Sequence, residues 1–277
     1  MKTLYLTDLD GTLLRANQQI SEFSLQTINA ALRKGTLFSY ATARSFSSAQ
    51  RVTQGLSLFL PVITYNGVFL IDPESGRYLD ACLLEEKHLG ELPSAIRGLE
   101  LLPLVYALID GRERVSWLLG KETPGISRYL LDRKGDPRLR PVSSYEELFM
   151  GDIFYLTIIA QSKKAAHLAP LLQESRYLRH HTSKDIYTKE LWLEVYHTMA
   201  SKASAGEKLL RLAGADRLVC FGDGENDIPM FCIADASYAV FGAHENLQKV
   251  ATKTIASNEQ DAVAHALLAL IEEDLAL

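Results

Sequence analysis

Two short stretches concentrate carboxylates just where apolar runs end. The first is Asp8-Leu9-Asp10-Gly11-Thr12-Leu13-Leu14, which follows the run Thr3 to Thr7. The second is Cys220-Phe221-Gly222-Asp223-Gly224-Glu225-Asn226-Asp227-Ile228-Pro229-Met230, which follows Leu218 to Phe221. If the stretches converge, Asp8, Asp10, Asp223 and Asp227 repel one another by about 4 kcal/mol per pair at about 4 Å and an effective dielectric of about 20. Such a cluster calls for a dication. An all-oxygen set without Cys or His favours Mg²⁺, which keeps waters and typically shares its shell with a substrate phosphate. The same residues also admit a plainer reading, as four separate solvated turn aspartates that cap backbone N–H groups.

Two further residues offer complementary chemistry. Thr42, in Ala41-Thr42-Ala43-Arg44, brings a hydroxyl, and Lys202, in Ser201-Lys202-Ala203-Ser204, brings an ammonium just before a helix. With the exposed N–H groups of helix starts, these are the usual ligands of a phosphate. Taken singly, Thr42 is also an ordinary β-branched strand residue and Lys202 an ordinary solvated lysine. Other anion-binding patterns fail. A dinucleotide fingerprint needs glycine where Asp227 stands, an EF-hand loop needs glycine at Ile228, and a P-loop ending at Gly120-Lys121 lacks its upstream glycine and its following Ser or Thr.

The elements that must position these residues read as an α/β protein. Thr3 to Thr7, Leu37 to Thr42 and Val62 to Tyr65 are predicted strands, separated by a helix N-capped by Ser21 and a weaker one over Ser45 to Gln54. Val68 to Asp72 and Arg77 to Leu83 flank a Pro73-Glu74-Ser75-Gly76 turn and predict a hairpin. From Leu84 to Tyr187 the grammar becomes antiparallel. Predicted helices at Glu85 to Leu99, Thr123 to Leu131 and Lys163 to Gln173 alternate with strands at Leu104 to Ile109, Val115 to Leu119 and Ile153 to Ile159. Beyond Trp192 the βα alternation returns, with a helix at Ser204 to Ala213 and a strand at Leu218 to Phe221. We therefore expect a Rossmann-like α/β core of residues 1–83 and 188–277 with a parallel sheet, and an inserted α+β domain over 84–187. Ligands of parallel sheets bind beyond the carboxyl ends of the strands, where Asp8 and Asp10 stand.

Composition narrows the function. Of 277 residues, 47% are hydrophobic and 23% charged, the proportions of a folded protein with a substantial core. The net charge of −5 gives no basic footprint, so nucleic acid is not an expected partner. Cys82, Cys220 and Cys232 form neither a disulfide framework nor a zinc motif, which fits a reducing cytosol. Asp8 and Asp10 break the apolar start before a signal sequence could form. The apolar stretch Leu58 to Ile71 is too short to span a membrane. A cytoplasmic protein with no membrane partner and no evident obligate protein partner is expected.

The whole set resembles the haloacid dehalogenase-like (HAD) superfamily, and within it the Cof-like phosphatases that carry an α/β cap between their second and third motifs. Asp8 to Leu14 resembles the first motif, Ala41-Thr42-Ala43-Arg44 the second, Lys202 the third and Gly222 to Asp227 the fourth. Thr42 and Lys202 lie 160 positions apart, room enough for a cap. Asn66-Gly67, and Ser257-Asn258 with Asp261, also resemble the subfamily.

The resemblance implies that Asp8 is the nucleophile of an Mg²⁺-dependent phosphomonoester hydrolase and forms an aspartyl-phosphate, and that Asp10 is the acid and base. It implies Mg²⁺ on Asp8, the backbone carbonyl of Asp10 and Asp223, with Asp227 as ligand or supporting group. Thr42 and Lys202 would hold the phosphoryl oxygens with help from Asn226, and the cap would gate the site and select among small phosphorylated metabolites such as sugar phosphates, nucleotides or phosphorylated cofactors. A phosphomutase with the same intermediate and a non-catalytic phosphometabolite-binding protein are the alternatives. Ala43, Ala203 and Ala262 stand where the pattern usually has glycine. Outside the motifs, His180-His181 is expected on an exposed strand or turn and His197 on a surface loop. Trp117, Tyr187 and Trp192 are expected as core aromatics.

Overall fold

A computed structural model describes residues 1–184 and 190–276. The chain forms two compact units, Met1–Ala81 with Ala200–Leu277, and Cys82–Met199. The first unit contributes strands β1 (Thr3–Thr7), β2 (Leu37–Tyr40), β3 (Val62–Thr64), β4 (Phe69–Ile71) and β5 (Tyr78–Ala81). The second supplies β6 (Pro103–Ile109), β7 (Arg112–Leu118), β8 (Leu139–Val142), β9 (Asp152–Ala160), β10 (Leu178–Lys184) and β11 (Leu191–His197). The chain then returns to the first unit with β12 (Arg217–Gly222), β13 (Ala236–Ala239) and β14 (Lys253–Thr254).

In the core unit a five-stranded sheet runs β14-β13-β12-β1-β2, and every neighbouring pair is parallel. From β1 the chain proceeds outward to β2 on one side, and later outward from β12 on the other. The reversal of strand order opens a crevice between β1 and β12 beyond their carboxyl ends. All five residues of β1 are buried, because parallel strands covered on both faces carry continuous apolar runs rather than alternating ones. Leu4 and Leu6 join Leu209, Leu218, Cys220 and Met230 in one apolar cluster, each fully buried leucine contributing about 2 kcal/mol. Helix Glu22–Arg33 starts where the Ser21 hydroxyl accepts the Ser24 N–H, and helix Lys202–Leu212 where the Ser201 hydroxyl accepts the Ser204 N–H. The expected hairpin is present: β4 pairs antiparallel with β5 across a turn in which Asp72 Oδ1 accepts the N–H groups of Glu74 and Ser75.

The second unit is a six-stranded sheet of order β10-β11-β9-β6-β7-β8, antiparallel except for the β7–β8 pair, backed by short helices. Its apolar cluster includes Val105, Leu118, Leu156, Ile158, Leu193 and Val195. Asp110 and Gly111, both at positive φ, close the β6–β7 hairpin.

Several expectations change here. The helix expected over Glu85 to Leu99 is two, Glu86–Leu89 and Leu92–Gly98, interrupted at Gly90 with Pro93 in the first turn of the second. The helix expected over Lys163 to Gln173 is likewise divided into Ser162–Ala166 and Ala169–Glu174, with Pro170 opening the second piece. In each case the proline suits a helix start and not an interior. Strands β8 and β11 lie outside the expected elements, whereas β10 puts His180 and His181 on a strand, one of the two settings expected for them. β8 and β10 are edge strands, which need no apolar alternation, and β8 tolerates Pro141 for that reason.

The expected return to the core at residue 188 falls among residues outside those described, as does Tyr187. Because β11 pairs with both β9 and β10, the second unit extends to Met199, and its other boundary lies at Cys82 rather than residue 84. His197 is not on a surface loop. It ends β11, buried, with its ring 4.6 Å from that of His88 and its Nδ1 accepting the Met199 N–H. His180 and His181 lie on β10. Trp117 is buried and Trp192 half-buried. Among the described residues, no helix is long and apolar enough to cross a membrane.

Candidate active site

Asp8 is the first residue past β1, in the crevice, and its N–H donates to the Phe221 carbonyl at the end of β12 at 2.9 Å. Its side chain is buried, and so is the ammonium that answers it. Lys202, at the start of its helix and 1% exposed, places Nζ 2.5 Å from Asp8 Oδ1 and 2.7 Å from Asp227 Oδ1. Asp227 Oδ2 accepts the N–H groups of Asp223 and Gly224, each at 3.0 Å, so both of its oxygens are engaged. Asp223 is half-buried, and its Oδ1 accepts the Thr12 hydroxyl at 3.2 Å. One carboxylate oxygen from each of Asp8, Asp223 and Asp227 lies within 4.8 Å of the others, an arrangement able to hold a metal ion.

The loops that make this possible are tight. Gly11 has φ +73°, and a Cβ there would stand 2.3 Å from Asp223 Oδ2. Gly67 has φ +99°, and its Cβ would meet the Ser201 carbonyl oxygen at 2.1 Å, one residue before Lys202.

Burial pushes the Asp8 carboxyl up from 3.8 to about 8, against the pull of Lys202 and with the push of Asp227 and Asp223. Burial, then Asp227, also raises Asp223. Burial alone would lower the Lys202 ammonium, but Asp8 and Asp227 outweigh it and hold the group above its usual range. Three carboxylates against one ammonium leave a formal charge of −2, which a divalent cation would balance.

The family model described as haloacid dehalogenase-like hydrolase matches residues 5–267. The chain belongs to the haloacid dehalogenase-like hydrolases. It is 24% identical over 276 residues to the 5-amino-6-(5-phospho-D-ribitylamino)uracil phosphatase YitU of Bacillus subtilis (strain 168), covering 95% of this chain and 96% of that one. Solved structures with the same fold include TM0651 from Thermotoga maritima, with a TM-score of 0.79, 24% identity and 97% of each chain covered. BT1666 from Bacteroides thetaiotaomicron, described among phosphatases of the same superfamily, aligns with a TM-score of 0.78 at 20% identity over 97% of this chain and 95% of that one. The α/β core with a separate sheet domain is thus the expected fold class, and the chain is an enzyme of this hydrolase family.

In this haloacid dehalogenase-like hydrolase the remaining expected site residues fall into two groups. Thr42 is fully buried just past β2. Its N–H donates to the Ile63 carbonyl, its carbonyl accepts the Asn66 N–H, and its Oγ1 accepts the Arg44 N–H at 3.1 Å, which leaves the hydroxyl proton for donation to a ligand. Asn226 Nδ2 donates to Asn66 Oδ1 at 3.1 Å. The Asp10 carboxylate, in contrast, does not join the other three. It is half-exposed and bound in a fork by Arg44, with Nε 2.7 Å from Oδ2 and Nη2 2.6 Å from Oδ1.

Asp261 accepts from the hydroxyls of Ser21 and Ser24 and from Arg15, at 2.5, 3.0 and 2.7 Å. Asn258 donates to the Leu14 carbonyl. The late pair therefore fastens the loop that follows the first motif. None of Ala43, Ala203 and Ala262 has positive φ, so alanine is unstrained at all three. Sequence reasoning passed over Arg44, although it lies within a quoted motif. The available signal was an arginine two residues after Thr42, beside the strand end that carries the aspartates.

Proposed function

We propose that this hydrolase releases phosphate from small phosphomonoesters, with Asp8 as the nucleophile and Mg²⁺ as its metal. The observation that carries the reading is the buried Asp8–Lys202–Asp227 ion triad with Asp223 beside it, at the switch point of a parallel sheet. An acyl nucleophile needs an ionised carboxylate, and burial works against ionisation of Asp8. Lys202 offsets part of this cost, and the residual negative charge suits a dication held by oxygen ligands alone.

Asp8 and Asp223, with the Asp10 backbone carbonyl, are the groups we assign to the metal. Asp227, engaged through both oxygens, is assigned to holding Lys202 and the Asp223 loop in place. When bound, Mg²⁺ would supply positive charge to the nucleophile and the phosphoryl oxygens. Two Lys202 N–H donors are committed to Asp8 and Asp227, and the third is assigned to a phosphoryl oxygen together with the Thr42 hydroxyl. Asn226, fixed by Asn66, supports the same group. Asp8 would attack phosphorus, the ester oxygen would leave with a proton from Asp10, and Asp10 would then take a proton from the water that cleaves the aspartyl-phosphate.

We assign selection of the organic part to the unit Cys82–Met199. The named relative acts on a phosphorylated ribityl compound, and we place sugar phosphates, nucleotides and phosphorylated cofactors together in the substrate class of this chain. A cytoplasmic setting fits such metabolites and a chain whose cysteines, Cys82, Cys220 and Cys232, form no disulfide framework in the sequence.

The test is phosphate release from a panel of small phosphomonoesters with Mg²⁺ or with EDTA, run beside Asp8→Asn. The expected result is Mg²⁺-dependent release that the substitution abolishes. Release by Asp8→Asn at the wild-type rate would remove Asp8 from its role.

A further inference from the structure

Arg44 makes a bidentate contact in the core unit that the proposed mechanism does not use. Its guanidinium spans both oxygens of Asp10 at 2.6 and 2.7 Å, while Nη2 also donates to Gln18 Oε1 at 3.0 Å and Nη1 to Ser48 Oγ at 3.2 Å. A guanidinium has five N–H donors, so four are committed within the protein. The backbone of Arg44 is pinned as well, its N–H donating to Thr42 Oγ1 and its carbonyl accepting the Tyr65 N–H. A residue whose donors are spent in this way is poorly placed to bind phosphate itself and well placed to hold another side chain. Gln18 reinforces the arrangement. It has φ +60°, a conformation that costs a non-glycine residue energy, in a turn closed by the Gln18 N–H to Arg15 carbonyl and the Arg15 N–H to Gln19 carbonyl bonds.

Asp10 needs such a hold. It lies in the turn Leu9–Leu13 with an extended backbone (φ −72°, ψ 126°), and its side chain is 50% exposed. A bidentate fork fixes the carboxylate plane in a way the single point charge of a lysine does not.

We propose that Arg44, steadied by Gln18 and Ser48, is the positioning residue that aims the Asp10 carboxyl at the leaving oxygen. This rests on the reading of Asp10 as the acid given above. In the step concerned, an Asp8 oxygen forms its bond to phosphorus and the bond from phosphorus to the ester oxygen breaks. The departing oxygen keeps the electron pair and takes the Asp10 proton. An alkoxide leaves badly without that proton, whereas p-nitrophenolate leaves without help. Misplacing Asp10 therefore slows the departure step selectively for alkyl phosphates, a loss read in kcat/KM, which does not contain the hydrolysis of the aspartyl-phosphate common to both esters, while general damage to the core penalises both.

The experiment compares kcat/KM for an alkyl phosphate and for p-nitrophenyl phosphate in wild type, Arg44→Lys, Arg44→Gln, Asp10→Asn and Asp10→Asn/Arg44→Gln, with circular dichroism to confirm folding. General acid catalysis is worth about 10²- to 10⁴-fold. Arg44→Gln is expected to lose at least about 10-fold more on the alkyl ester than on the aryl ester, within that range. Arg44→Lys should lie between it and wild type, added guanidinium should restore part of the Arg44→Gln loss, and the double variant should show no more selectivity than Asp10→Asn alone. Equal losses on both esters, or no loss in an active wild-type background, would overturn the role of Arg44 and leave the phosphatase reading standing. A wild-type protein that releases phosphate from neither ester would overturn both.

Discussion

Replacing Lys202 by methionine keeps an unbranched chain of similar volume and removes the ammonium that pairs with Asp8 and Asp227. The triad oxygens lie within 4.8 Å of one another, a separation at which two ionised carboxylates repel by roughly 3.5 kcal/mol at an effective dielectric of about 20. Breaking a buried ion pair by removing one partner costs about 3–5 kcal/mol, and the carboxylates limit that cost by taking up protons. The penalty must therefore depend on pH. Asp8 sits at about 8 when folded and 3.8 ordinarily, so between those values the folded state holds a proton that the unfolded state has released, and stability falls as pH rises. Because Lys202 lowers the Asp8 value, Lys202→Met extends that window upward: below about 8 the two proteins lose stability in parallel, and above it only the variant goes on losing, by about 1.4 kcal/mol per pH unit.

We expect Lys202→Met to be destabilised by about 3 kcal/mol near pH 7 and by about 5 kcal/mol near pH 9.5, in chelator. Both tryptophans of the chain, Trp117 and Trp192, lie in the unit Cys82–Met199, so their fluorescence reports that unit. The core is better followed by hydrogen exchange at the amides of β1 and β12 in a denaturant series. Saturating Mg²⁺, at about 100 times its dissociation constant, should return about 2.7 kcal/mol to the wild-type core. A gap between variant and wild type that stays constant across pH would show that Lys202 acts by packing alone and refute the electrostatic reasoning.

Two other consequences are open to direct test. Gly67→Ala forces a Cβ against the Ser201 carbonyl at φ +99°, so the core should lose at least about 2 kcal/mol and phosphate release should fall with it, because Lys202 follows Ser201; a wild-type melting temperature by circular dichroism would contradict the close approach. Cys232 is exposed, whereas Cys220 is fully buried and its thiol is pushed well above its usual range by burial. A thiol reagent should consume Cys232 first and reach Cys220 only on unfolding, and a Cys232→Ser protein that reacts as fast as wild type would contradict this.

Much of the core was readable in order along the chain. Continuous apolar runs named β1 and β12, and Ser21 marked its helix, because these are local signals of burial and capping. The inserted unit was less legible. β10 carries Arg179, His180, His181 and Thr182, and its strand identity comes from pairing with β11 rather than from its own residues. Pro93 and Pro170 were visible, but the long apolar spacing around them concealed two helix breaks.

By itself the sequence determined which residues could do chemistry, the βα order of the elements around them, and the family to which they correspond. Only the tertiary structure decided how the four aspartates divide. Asp8, Asp223 and Asp227 gather around Lys202 because β1 and β12 are hydrogen-bonded neighbours that end together. Asp10, two residues further on, turns to Arg44 on the loop after β2, the neighbour of β1 on its other side. Spacing along a chain fixes which groups leave a strand at the same place. Which opposite charge meets each of them depends on the strands paired alongside, and those come from distant parts of the sequence.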